Sequence, residues 1–127
     1  MIPGILDQRS EQVDDTHLDR DVLSALQEVM EDGYPELLDT FLSDSEERLS
    51  LLRKADDADR LGATAHSFKG SSSNMGATRL AELCHELEQR AKEKKLEGIE
   101  ALVGEIDGEF AIVRPLFEAE RQRSLAE

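Results

Sequence analysis

The sequence predicts an all-α fold: an up-down antiparallel four-helix bundle with an additional short N-terminal helix. Three observations carry this reading. Apolar residues recur every three or four positions over most of the chain, and no stretch alternates with the period of two that a half-buried strand needs. Glu, Leu, Ala, Lys and Arg dominate the composition, and these residues favour helices. The breaks between periodic segments are short and marked by Gly, Pro, Asn or Asp, which places successive helices antiparallel to one another. At 127 residues, 39% of them hydrophobic, the chain is long enough for one domain with a sizeable core.

Residues 1–15 show no sustained period, carry Pro3 and Gly4, and are expected to form a loosely ordered tail, with Ile2, Ile5 and Leu6 available to dock. The bundle itself is expected over residues 16–120. Thr16 reads as an N-cap, with Asp19 three residues later in the manner of a capping box. A first helix then runs to about Met30, with Leu18, Val22, Leu23, Leu26, Val29 and Met30 as its apolar set. Glu31 to Tyr34 break it, and Pro35 suits the first turn of the second helix. That helix aligns Leu37, Leu38, Phe41, Leu42, Leu49 and Leu52 and ends near Lys54.

Asp56, Asp57 and Asp59 supply caps and favourable charge at the start of a third helix, from about Asp57 to Ser73. Asn74 and Gly76 can take left-handed backbone angles, so the chain turns there. A fourth helix starts near Ala77 and buries Leu80, Leu83, Cys84, Leu87 and Ala91. Gly98 precedes a fifth, with Ile99, Leu102, Val103, Ile106, Phe110 and Val113 as its stripe. Pro115 is expected to end or kink it. Leu116 and Phe117 can pack beyond that point, and residues 121–127 are expected to fray.

The 29 acidic and 15 basic side chains give a formal charge of −14. Such a surface repels nucleic acid and anionic membranes, and neither is an expected partner. Cys84 is the single cysteine, so no internal disulfide forms and a reducing compartment fits. No apolar run reaches the length of a membrane span, and the first residues turn acidic too soon for a signal peptide. The expected location is the cytoplasm, and the expected state is a monomer.

The densest information lies in Ala65-His66-Ser67-Phe68-Lys69-Gly70-Ser71-Ser72-Ser73-Asn74-Met75-Gly76-Ala77. On a helix, Gly62, Ala63, Lys69, Gly70 and Ser73 share the face of His66. Leu61, Ala65, Phe68, Ser72 and Met75 form the opposite, core-facing stripe. His66 therefore points to solvent among short side chains and one cation. Glycine inside a helix costs about 1 kcal/mol relative to alanine, so Gly62 and Gly70 break a local rule with no folding gain. Clearance for a bulky partner would explain them. A lone surface histidine is normally just that, and His17 and His85 are read so. Pairing the third and fourth helices about Ala77 sets His66 opposite Glu88. A carboxylate there would hold one ring nitrogen and leave the other free as a nucleophile. Lys69 is placed to attract an anionic group such as a phosphoryl.

These residues, with Gly76-Ala77, Leu80, Leu83-Cys84 and Leu87-Glu88, resemble the signature of histidine-containing phosphotransfer (HPt) domains, and the likeness extends over about Leu18 to Arg90. Phe68 stands where leucine is more usual. The resemblance implies a stand-alone bacterial phosphoryl carrier in two-component signalling, without an ATP-binding domain or cofactor of its own. It implies His66 as the phospho-accepting residue through Nε2, Lys69 near the phosphoryl group, Gly70 as clearance for a receiver domain, and Glu88 on the other ring nitrogen. Lys92 would add positive charge. Leu18, Val22 and Met75, with Gly62 and Ser73, would border the docking surface. The implied donor is the receiver domain of a hybrid sensor histidine kinase, which brings its Mg²⁺, and the implied acceptor is a response-regulator receiver.

Two other readings fit parts of the sequence. A helical module could dock a receiver without phosphotransfer, although His66 and Lys69 argue for the carrier. Glu82 and His85 have the Glu-x-x-His spacing of di-iron bundles, but such sites need two such pairs and further inward carboxylates. An autonomous kinase is excluded by the lack of a Gly-rich nucleotide loop.

Overall fold

The computed structural model describes residues 16–126, so the expectations for residues 1–15 and for Glu127 lie outside the described residues. Five helices lie wholly within the described residues: α1 (Arg20–Met30), α2 (Tyr34–Lys54), α3 (Ala58–Asn74), α4 (Thr78–Lys92) and α5 (Ile99–Ala126), with a 3₁₀ turn at Glu31–Gly33. Helices α2 to α5 enclose one core in which Tyr34, Phe68, Phe117, Leu80, Leu87 and Ile106 are almost fully buried. The predicted bundle is the observed fold.

The helix that ends at Met30 starts at Arg20, later than its sequence suggests. Its cap is Asp19, not Thr16: the Asp19 carboxylate accepts from the Asp21 and Val22 N–H groups at 3.0 and 3.3 Å. Thr16 and His17 are helical, Leu18 and Asp19 interrupt the helix, and tertiary contacts hold this segment. The Asp19 N–H donates to the Gly76 carbonyl at 2.7 Å, and the Thr78 hydroxyl donates to the Thr16 carbonyl at 3.4 Å. Gly76 has φ +76°, and a Cβ there would stand 3.0 Å from the Asp19 carbonyl oxygen. Only glycine lets the N-terminal segment lie this close over the α3–α4 turn. Val29 and Met30, assigned to the apolar set of α1, are 79% and 38% exposed. Periodicity marks an apolar face but does not show whether a neighbour covers it.

Tyr34 opens α2 rather than breaking the chain. It is buried, and its hydroxyl donates to Glu120 Oε2 at 2.9 Å. Burial, with the bond to Glu120 adding, pushes its phenol above the ordinary range. Glu120 also holds Arg20 at 3.0 Å, and Arg123. Pro35 lies in the first turn of α2 as expected.

Helices α2 and α5 run antiparallel with a register written in charge. Asp39 pairs with Arg121 (2.8 Å), Glu46 with Arg114 (2.6 Å), and Arg53 with Asp107 (2.6 Å). The members are spaced by seven on both helices, and the sign of the third pair is reversed.

Pro115 does not end α5. The helix continues through it to Ala126, past the residue where fraying was expected. Burial of Phe117, whose ring lies 5.0 Å from that of Phe41, and of Glu120 holds the turns beyond the missing N–H. His85 is exposed, as read. His17 is not simply a surface residue: its Nδ1 lies 2.6 Å from Oε2 of buried Glu109, a partner 92 positions away.

Gly104 and Gly108 lie in α5 where an added Cβ meets nothing within 4 Å. Gly104→Ala and Gly108→Ala are each expected to stabilise the fold by about 1 kcal/mol, read as a higher urea midpoint at unchanged m.

Candidate functional site

The α3–α4 hairpin builds the site. Leu61, Ala65, Phe68 and Ser72 of α3 are buried, as are Leu80, Leu83, Cys84, Leu87 and Ala91 of α4. With both stripes turned into the core and the chain reversing at Met75–Ala77, His66 and Glu88 meet across the seam. His66 Nδ1 lies 2.8 Å from Glu88 Oε2, with the imidazole side chain 70% exposed and the carboxylate side chain 6% exposed. The pairing read from the turn is the pairing found.

Glu88 holds two further cations. Lys69 Nζ stands 2.7 Å from Oε1, and Lys92 Nζ stands 3.8 Å from Oε2. The Lys69 ammonium foremost, then His66, keeps the Glu88 carboxyl below its ordinary range against the opposing effect of burial. An ionised Glu88 only accepts hydrogen bonds. In the neutral ring Nδ1 therefore carries the proton and donates it, which leaves the lone pair on Nε2, away from Glu88. The geometry offers an oriented, accessible nucleophile with a buried anion behind it.

The other expected site residues divide. Gly70 is exposed, and an added Cβ there meets nothing within 4 Å, which is the open approach expected beside His66. Ser73 is exposed. Gly62 is half-buried, and an added Cβ there would meet Ala91 Cβ in ordinary contact at 3.4 Å. Leu18 and Met75 are 1% and 5% exposed and belong to the core, so they cannot form an accessible apolar rim. Contact between the N-terminal segment and the α3–α4 turn buries them. Val22 is half-buried over Gly76. Lys69 is engaged by Glu88, whereas Lys92 is 65% exposed.

Sequence reasoning missed Arg48. Its Nε donates to Ser67 Oγ at 3.2 Å and its Nη1 to Ser71 Oγ at 3.4 Å, on the flank of α3 that faces α2. Two serines one helical turn apart were the available signal, because serine competes with helical backbone bonds unless its hydroxyl has other work. Burial pushes the Cys84 thiol up to about 12, so it stays protonated at neutral pH. Glu82 and His85 are exposed, and Glu82 lies 3.5 Å from Arg79. Among the described residues no group of three or more His, Cys, Asp or Glu is placed to hold a metal.

The Hpt domain family model matches residues 36–114, which include both members of the His66–Glu88 pair. The chain belongs to the Hpt domain family. This Hpt domain is 59% identical to histidine-containing phosphotransfer protein B (HptB) from Pseudomonas aeruginosa, over 84% of this chain and 96% of that one, with a TM-score of 0.82. It is 28% identical over 116 residues to histidine-containing phosphotransfer protein 2 from Arabidopsis thaliana, covering 80% of this chain and 74% of that protein. The maize protein ZmHP2 superposes with a TM-score of 0.75 at 25% identity, over 89% and 95% of the two chains. The Hpt domain is a phosphorelay intermediate in two-component signalling, a phosphotransfer carrier. Among the described residues, no helix is long and apolar enough to cross a membrane.

Substitutions at Gly70 distinguish packing from access in this Hpt domain. Gly70→Ala is expected to raise stability by about 1 kcal/mol, since its methyl meets no neighbour. Gly70→Leu is expected to fold equally well and to slow phosphoryl exchange with a protein partner about tenfold or more, by filling the approach to His66. Thermal melts and transfer rates on the same samples separate the two effects.

Proposed function

We propose that His66 is the phosphoryl acceptor, charged by the phospho-aspartate of a hybrid sensor kinase's receiver domain and discharged to the aspartate of a response-regulator receiver in the cytoplasm. The observation that carries this reading is the His66–Glu88 pair: an exposed imidazole whose Nδ1 is held at 2.8 Å by a buried, ionised carboxylate. Nε2 attacks phosphorus in line, the N–P bond forms, and the P–O bond to the aspartate breaks with the electron pair leaving on the carboxylate. The ring becomes cationic, and Glu88 stabilises that charge through the Nδ1–H bond.

Lys69 and Lys92 surround the same carboxylate and supply positive charge next to the incoming group, in a protein whose overall charge is −14. The receiver brings Mg²⁺ and its own acid–base groups. The Hpt domain contributes orientation, which is the larger part of what a carrier needs.

The test is transfer of radiolabel from phospho-receiver domains. Label that is lost in acid and stable in base identifies phosphohistidine. Transfer from no receiver in a broad panel, with binding intact, would sink the carrier reading and leave a docking module.

A further inference from the structure

Helices α2 and α5 carry the same short pattern on the face they share. On α2 it is Glu46, Leu49, Ser50 and Arg53; on α5 it is Asp107, Phe110, Ala111 and Arg114. Each runs acidic, apolar, small, basic at positions i, i+3, i+4 and i+7, which sets the four on one side of a helix. Because the helices are antiparallel, each acid meets the other helix's arginine: Glu46 with Arg114 and Asp107 with Arg53, both at 2.6 Å. Between the two pairs lies a hollow of about 450 Å³, lined by Ala111 and floored by buried Leu49 and Phe110. The four charged side chains are 45% to 52% exposed, so each pair leaves polar atoms open to a second partner. Asp39 and Arg121 extend the pattern by one heptad, and Arg114 also meets Glu118 at 3.6 Å.

This face lies across the bundle from the phosphoryl site. Around the bundle α2 packs on α3, α3 on α4, α4 on α5 and α5 on α2, so the α2–α5 seam is opposite the α3–α4 seam that carries His66. The charges select the occupant. In a chain of net charge −14, the three pairs form a balanced patch with no net sign to hold a purely basic or purely acidic partner. What the patch matches is its own image. A second copy turned by 180° about an axis parallel to the helices sets its α5 over α2 and its α2 over α5. The second copy's Arg114 then stands over Glu46, its Asp107 over Arg53 and its Arg121 over Asp39, with the reciprocal pairs formed at the same time. A patch that complements itself under a two-fold axis is what an isologous dimer requires.

We propose that the α2–α5 face is a homodimer interface, occupied by the same face of a second copy of this chain. Ser50 and Ala111, short at the centre of each helix's pattern, let the two layers close. The aliphatic stems of Arg53 and Arg114 from both copies cover Leu49 and Phe110 and fill the hollow. Both His66 imidazoles face outward from such a dimer, so two protein partners reach them at once without meeting. The expected monomer then holds only in dilute solution. The interface does not depend on the carrier reading above.

The experiment is sedimentation equilibrium of the full chain from about 1 μM to about 1 mM. Wild type is expected to rise from the 14.2 kDa of one chain toward twice that mass, with a midpoint at about 100 μM or below. Ala111→Glu keeps every ion pair and sets an unmatched charge at the centre of the contact, and it is expected to weaken association about tenfold or more. Arg53→Glu with Arg114→Glu makes the face acidic, and Glu46→Lys with Asp107→Lys makes it basic. Each double variant alone is expected to stay monomeric, and an equimolar mixture of the two to recover the dimer. Circular dichroism checks that each is folded, and Ala111→Glu decides should the double variants not fold. Wild type that stays at the mass of one chain throughout overturns the dimer. A dimer that survives Ala111→Glu and both reversals overturns the assignment to this face. Folded double variants whose mixture stays monomeric overturn the pairing.

Discussion

Phosphoryl transfer from a receiver domain to His66→Gln is expected to fall below detection, with stability changed by about 1 kcal/mol or less. The imidazole is 70% exposed and contributes little to the core, so its loss is felt in chemistry and not in folding. Glu88 keeps Lys69 at 2.7 Å and is not left as an unpaired buried charge. A glutamine amide offers no comparable nucleophilic lone pair, so docking continues without transfer. Residual label on the variant, with the acid lability of phosphohistidine, would point to His17 or His85 and overturn the assignment.

Glu88→Ala is expected to slow transfer about a hundredfold, by analogy with loss of the carboxylate behind a catalytic imidazole. Without Glu88 the ring can rotate and exchange tautomers, and the cation formed on phosphorylation loses its counter-charge. Glu88→Gln retains an acceptor oxygen for Nδ1–H without the charge, so it should fall between Glu88→Ala and wild type. The same residue gives a pH signature. Its carboxyl titrates below the unfolded value of about 4.3, because Lys69 and His66 favour the ionised form. Its stabilising effect is therefore complete above that value and is lost as pH falls through the lower folded value. The gap in urea midpoint between wild type and Glu88→Ala, about 1–3 kcal/mol near neutrality, should close below about pH 4. A gap that widens on acidification would show that Lys69 and His66 do not hold Glu88 ionised.

The His66–Glu88 pair was legible because it is local. His66 and Glu88 belong to one hairpin, and the turn at Met75–Ala77 together with two apolar stripes fixes which residues meet. The helices of the bundle were legible for the same reason, since each carries its own stripe and breaks. What escaped depends on partners distant in sequence. Leu18 and Met75 become core only because Asp19 bonds to Gly76 across the turn. That Gly62 lies beside Ala91 of α4 was not legible from α3 alone. Pro115 reads as a stop or a kink, and the stop does not occur because Phe117 reaches Phe41, which the sequence does not show. That Glu88 holds the Lys69 ammonium was not read either, since it needs the carboxylate of the next helix. Val29 and Met30 show the opposite failure, an apolar pattern left uncovered.

The seven-residue spacing of the Asp39–Arg121, Glu46–Arg114 and Arg53–Asp107 pairs also bears on how the chain avoids assembling wrongly. Each pair is exposed and contributes little to stability. Heptad spacing alone would make the pattern ambiguous, since a slide by two turns brings equivalent positions together again. The reversed third pair removes that ambiguity. Sliding α5 one heptad one way sets Glu46 against Asp107, and sliding it the other way sets Arg53 against Arg114. Each misaligned state thus contains a repulsion that the aligned state lacks. The three pairs work as an address with a built-in error check, reporting during folding whether two long helices have stopped at the right place.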